Sequence, residues 1–117
     1  MGKGEYLAEF EQVVLLALAR LGSDAYGVAI TDEIRSATGR EASIPSVYVT
    51  LGRLEEKGYV VSQTGEPTAK RGGRAKKYFR LQPAGVAALR QSRQMLDDLW
   101  AGVQLSAGAR GTAGDDT

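Results

Sequence analysis

The 117-residue chain contains no cysteine and no histidine. Their absence excludes disulfides, thiolate chemistry, zinc sites of the Cys/His type and a histidine general base. Its carboxylates do not cluster. No enzyme activity, metal or other cofactor is therefore expected. Long apolar runs are missing too, and the opening Met-Gly-Lys-Gly-Glu-Tyr reads neither as a signal peptide nor as a membrane span. These absences lead us to expect a cytoplasmic protein with no membrane contact. The length fits one domain with one modest core.

Net charge is only +1, which by itself points to no polyanionic partner. The distribution is more informative. Lys70, Arg71, Arg74, Lys76, Lys77 and Arg80 fall within residues 68–80, where there is no acid, while residues 1–67 are net acidic. A local basic patch governs phosphate contact more than the global balance does.

Hydrophobic spacing predicts three helices followed by a hairpin and a fourth helix. Residues 6–21 carry Leu7, Phe10, Val14, Ala17 or Leu18, and Leu21 on one face, with Val13, Leu15 and Leu16 filling much of the rest. A helix apolar over most of its circumference is buried on more than one side, which suggests a partner chain as well as the helix's own core. Ser23-Asp24 can cap a second helix from about Ala25 to Thr38, closed by Gly39.

The third helix is expected over Ser43–Gly58, with Ser43 as its cap, Pro45 in the first turn and Gly58 past its end. Val47, Leu51 and Leu54 form its inward stripe. The other side carries Pro45, Ser46, Val49, Gly52 and Arg53, a small and mostly uncharged set. An ordinary solvated face carries more charge, whereas a helix entering a DNA groove needs small side chains and a few donors. Three helices so connected match a helix-turn-helix arrangement.

Residues 59–64 and 76–81 read as strands around a glycine-rich basic loop, so they form a hairpin with a charged tip. From Pro83 to about Leu105 a long helix places Val86, Leu89, Arg93, Leu96, Trp100 and Val103 at alternating steps of three and four, a heptad seam with one arginine. Residues 106–117 cannot supply a core and are expected to be disordered. The expected class is α+β, mainly helical: a winged helix-turn-helix over residues 1–82, a C-terminal dimerisation helix over 83–105 and a tail over 106–117.

Several runs, in order, resemble the PadR family of transcriptional regulators. They are Tyr26-Gly27-Val28-Ala29-Ile30; Ser46-Val47-Tyr48-Val49-Thr50-Leu51-Gly52-Arg53-Leu54-Glu55-Glu56-Lys57-Gly58; Gly72-Gly73-Arg74-Ala75-Lys76-Lys77-Tyr78-Phe79-Arg80-Leu81; and Pro83-Ala84-Gly85. The resemblance spans residues 7 to about 103. It implies a homodimeric winged-helix repressor of promoter DNA that dimerises through its C-terminal helix. It also implies that short members of the family can bind small molecules in a flat aromatic pocket at the dimer interface. Tyr48 matches the family's recognition-helix tyrosine and Arg53 the arginine of its Arg-Leu-Glu run. Gly52 departs from the family pattern, in which a charged or polar residue is common.

Candidate DNA contacts are Ser43, Ser46, Tyr48, Val49, Thr50 and Arg53 on the third helix and Lys70, Arg71, Arg74, Lys76 and Lys77 on the hairpin. Tyr48 either reaches a phosphate or packs partly into the core. Leu7, Phe10, Val14, Leu89, Arg93, Leu96, Trp100 and Val103 are the candidate dimer interface. Trp100 is a core or interface side chain or, with Leu96, a platform for a planar apolar effector. The expected partners are double-stranded DNA bearing an inverted repeat, a second copy of the chain and such an effector. The competing reading is a protein-interaction module whose basic hairpin meets an acidic partner.

Overall fold

The computed structural model describes residues 6–65 and 76–105. Its elements are α1 (Glu9–Leu21), a 3-10 turn (Gly22–Asp24), α2 (Gly27–Thr38), α3 (Ile44–Glu56), β1 (Val60–Thr64), β2 (Lys77–Leu81) and α4 (Pro83–Trp100). The strands pair antiparallel, with Val60 opposite Leu81 and Thr64 opposite Lys77. This is the winged helix-turn-helix expected from the sequence. The hairpin tip, with Lys70, Arg71 and Arg74, and the tail over 106–117 lie outside the described residues.

Helix α1 is the centre of the core because α2, α3, β2 and α4 all pack around it. Leu7, Val14, Leu15, Ala17 and Leu18 are buried within the chain. Three of the expected interface residues are thereby accounted for differently. Leu7 and Val14 belong to the chain's own core and cannot face a partner. Phe10 is half-buried, with the Arg40 guanidinium 5.1 Å from its ring centre. Among the large apolar side chains of α1 only Leu16 stands well out, at 51% exposure. Each large apolar side chain buried here contributes roughly 1.5–3 kcal/mol of transfer free energy.

Helix α1 starts three residues later than the spacing suggests. Ala8 is extended, and its N–H donates to the Glu11 carboxylate at 2.8 Å. That carboxylate also accepts from Lys57 Nζ at 2.9 Å, fastening the end of α3 to the start of α1. Burial pushes the Glu11 carboxyl up, but the hydrogen bonds from Lys57 and Ala8, with the nearby charges of Lys57 and Arg53, outweigh it and hold the group below its ordinary value.

Ser23 and Asp24 do not cap α2, which begins at Gly27 after an uncapped, extended Tyr26. The cause is the hairpin. Phe79 N–H donates to the Ala25 carbonyl at 2.8 Å and Tyr26 forms an isolated bridge to Tyr78, so this stretch is held extended against β2. Gly39, in the left-handed region at φ 76°, then closes α2. Phe79 turns into the core beside Val60, while Arg80 faces out.

Helix α4 docks by its first turns. A Cβ on Gly85 would stand 2.5 Å from the Tyr59 carbonyl oxygen and 2.8 Å from Leu81 Cδ1, so only glycine permits this contact. The helix ends at Trp100 rather than near Leu105. Ala101 leaves the helical region and Gly102 adopts φ 80°, which puts Val103 beyond the helix and off the heptad seam.

Candidate nucleic-acid interface

Helix α3 is defined locally before it is packed. Ser43 Oγ accepts from Ser46 N–H at 3.1 Å, and Ser46 Oγ donates back to the Ser43 carbonyl at 2.9 Å. Both serines stay near the surface, but their hydroxyls already serve the helix start. Val47, Leu51 and Leu54 are fully buried. Thr50, expected to face the groove, joins them at 4% exposure, which removes it from the outward set. The outward face carries Pro45, Tyr48, Val49, Gly52, Arg53 and Glu56. Val49 is 57% exposed, and the position of a Cβ on Gly52 has no neighbour within 4 Å. Among the described residues Arg53 makes no ion pair, so its guanidinium is available as a donor.

An aromatic cluster joins α3 to α2 and the hairpin. The Tyr48 ring lies across the first residue of α2: a Cβ on Gly27 would be 2.2 Å from Tyr48 Cζ. The same ring meets Phe79 edge-on at 6.5 Å. Tyr48 remains partly exposed, so it both packs and faces outward. Tyr26 and Tyr78 meet edge-on at 5.5 Å, and Lys76 Nζ sits 4.0 Å from the Tyr26 ring centre. Lys77 is exposed at the start of β2, its Nζ 5.7 Å from the centre of the Phe79 ring. The described part of the basic segment thus begins beside the cluster that holds α3.

A second feature lies between other elements. Leu16, Leu81, Val86, Leu89, Leu96 and Trp100 line a cleft of about 590 Å³ between α1 and α4, with Gln12, Arg90, Arg93 and Asp97 also lining it. Leu96 is 44% and Trp100 58% exposed. Leu99, outside the heptad seam, is more exposed still. Arg93 stands in solvent and comes no closer than 3.9 Å to Asp97 of its own helix.

Sequence reasoning missed Glu11 and the packing role of Gly27. Glu11 lacked the usual signal because the residue three before it is alanine, not the serine or threonine of a capping box. The Tyr26-Gly27 pair was visible, but its reason is the distant Tyr48 ring. No helix among the described residues is long and apolar enough to cross a membrane, and no group of His, Cys, Asp or Glu among them could hold a metal ion.

The sequence matches the Transcriptional regulator PadR-like family over residues 14–91. It is 35% identical over 95 residues to the transcriptional regulator Rv3488 of Mycobacterium tuberculosis, covering 81% of this chain and 82% of that protein. The fold is similar to that of a transcriptional regulator from Clostridium thermocellum, with TM-score 0.64 and 26% identity over 78% of this chain and 85% of the other. It is likewise similar to a PadR family transcriptional regulator from Eggerthella lenta, with TM-score 0.63 and 25% identity over 80% and 81% of the two chains. Members of this family are transcriptional regulators, not enzymes. The chain, with its winged helix and the motifs that build it, belongs to the PadR-like family of transcriptional regulators.

Proposed function

We propose that the chain is a homodimeric repressor that inserts α3 into the major groove of an inverted-repeat operator, in the cytoplasm. The observation that carries this reading is the outward face of α3. It combines small side chains, an open Gly52 and an Arg53 that makes no ion pair among the described residues, and the basic segment begins beside the cluster that holds the helix. Groove entry needs that relief, and phosphate contact needs the cations. Residues 1–82 form the DNA-binding unit. Ser43 and Ser46 stay close enough to the surface to face phosphates, and Lys70, Arg71, Arg74, Lys76 and Lys77 supply the charge.

The arm that begins at Pro83 serves dimerisation. Leu96, Leu99 and Trp100 leave an apolar surface on α4 that no other described residue of this chain covers. Leu89 and Arg93 lie along the same cleft, and Val103 follows it past the helix end. The cleft volume falls within the range of small-molecule sites, roughly 300–1,000 Å³. With Trp100 and Leu96 in its wall, it suits a planar apolar effector that relieves repression.

Footprinting on a selected duplex tests the reading. Two symmetric half-sites, centred about one helical turn or a multiple apart, are expected from a two-fold dimer. A single asymmetric footprint would contradict it.

A further inference from the structure

Helix α3 contains two residues that its own packing does not require. Val49 is β-branched, a modestly disfavoured choice on an exposed helix surface, yet it is the most exposed large apolar side chain on α3. Gly52 lies one turn further on and is disfavoured more strongly in a helix interior, yet nothing stands within 4 Å of its Cβ position. Residues three apart are neighbours on a helix surface. The valine methyls therefore border an open notch in the outward face. Pro45 lies one turn before Val49 and Arg53 one turn after it. The carboxylate on this face, Glu56, is two turns from Val49 and one turn from Gly52. The notch is apolar and small, with the Arg53 guanidinium beside it and the Glu56 carboxylate one turn beyond Gly52.

Taking α3 as the groove-facing helix, as proposed above, we infer that Val49 and the Gly52 notch receive the C5-methyl group of a thymine. Among the four bases, thymine alone presents a methyl group in the major groove, and an apolar side chain is what recognises it. The missing Gly52 side chain lets the helix surface approach the base edge, and the Val49 methyls then lose water against the thymine methyl. Arg53 supplies a nearby donor to a base or phosphate. Val49 is thus a specificity-determining residue that fixes a thymine in each half-site. Arg53 beside the notch, and the basic segment that begins beside the Tyr26–Tyr78 cluster, favour a nucleic acid over an apolar protein surface as the occupant.

The test starts with selection of duplexes from a random library by the full-length protein at low salt. Each thymine of the enriched half-site is then replaced in turn by deoxyuridine, which removes only the methyl group. One position per half-site should weaken wild-type binding by about fourfold, the worth of one methyl kept from water. Val49→Ala should bind the thymine and deoxyuridine versions alike while keeping the wild-type circular dichroism spectrum and a melting temperature no lower than that of the wild type. An enriched half-site without thymine, or a deoxyuridine loss of equal size in the wild type and Val49→Ala, would overturn the inference and leave DNA binding standing. If no duplex is enriched, both this inference and the DNA-binding reading fall.

Discussion

The phenol ring of Tyr48 occupies the space where a side chain on Gly27 would stand, with only 2.2 Å between a Cβ there and Tyr48 Cζ. Through this contact α3 sits directly on the first turn of α2. The ring continues to Phe79 of β2, so one side chain spans both helices and the hairpin. A change at Gly27 must therefore be felt at Tyr48.

Gly27→Ala is expected to destabilise the fold by about 1–3 kcal/mol, the usual cost of forcing atoms into a filled site. The cost should shrink in a Tyr48→Ala background, where the ring is gone. Urea unfolding of the two single variants and the double variant measures the coupling. Additive losses would show that the ring moves aside freely.

Gly52→Ala should act in opposite directions on stability and binding. The new methyl meets nothing, and alanine is favoured over glycine in a helix by roughly 0.5–1 kcal/mol, so the melting temperature should rise. DNA affinity should fall, because the notch in the outward face is filled. Thermal melts alongside DNA titrations decide this. Higher stability with unchanged affinity would remove Gly52 from the interface.

Glu11 supplies a pH dependence. Its carboxyl is held below the ordinary value, so it binds fewer protons when folded than when unfolded. The stability it contributes is complete above its unfolded pKa and is lost as pH falls through the lower folded value. Melting temperature should therefore drop as pH is lowered from about 5 to 3, the window set by an ordinary glutamate pKa of about 4.3 and a lower folded one. Glu11→Gln should be less stable than wild type at pH 7, by about 1–3 kcal/mol for hydrogen bonds to a charged group, and the two should converge in acid. A constant difference between them from pH 7 to pH 3 would contradict this origin.

The sequence disclosed most of this architecture, for reasons visible in particular residues. Ser43 and the stripe Val47, Leu51 and Leu54 define α3 because a cap and a 3.6-residue period are local signals. Thr50 was misplaced because its hydroxyl was judged by chemistry. At 100° per residue it lies about 60° from Val47, on the inner side. The wide apolar surface of α1 suggested a partner chain, but four other elements of the same chain cover most of it. Tertiary contacts cannot be read from the period of one helix. The same limit hid the Glu11–Lys57 link, whose partners are 46 residues apart, and the bridge that delays the start of α2.

Leu96 and Trp100 provide a separate test of the dimer. Neither belongs to the buried core, so Leu96→Asp with Trp100→Asp should leave a folded monomer. Sedimentation velocity should show a dimer for the wild type and half that mass for the variant, and operator affinity should fall at least about tenfold with the loss of two-site binding. A wild-type chain that sediments as a monomer would count against the role given to α4.

The most direct measurement is fluorescence anisotropy of a labelled random duplex, titrated with the full chain across a salt series. Affinity should fall steeply with salt, with a log–log slope of about −0.9 for each phosphate neutralised. Replacing Lys70, Arg71 and Arg74 together with alanine should make that slope shallower by about 2–3. Absence of binding at low salt, or a slope indifferent to those three residues, would contradict DNA contact through the hairpin and favour a protein-interaction role for this surface.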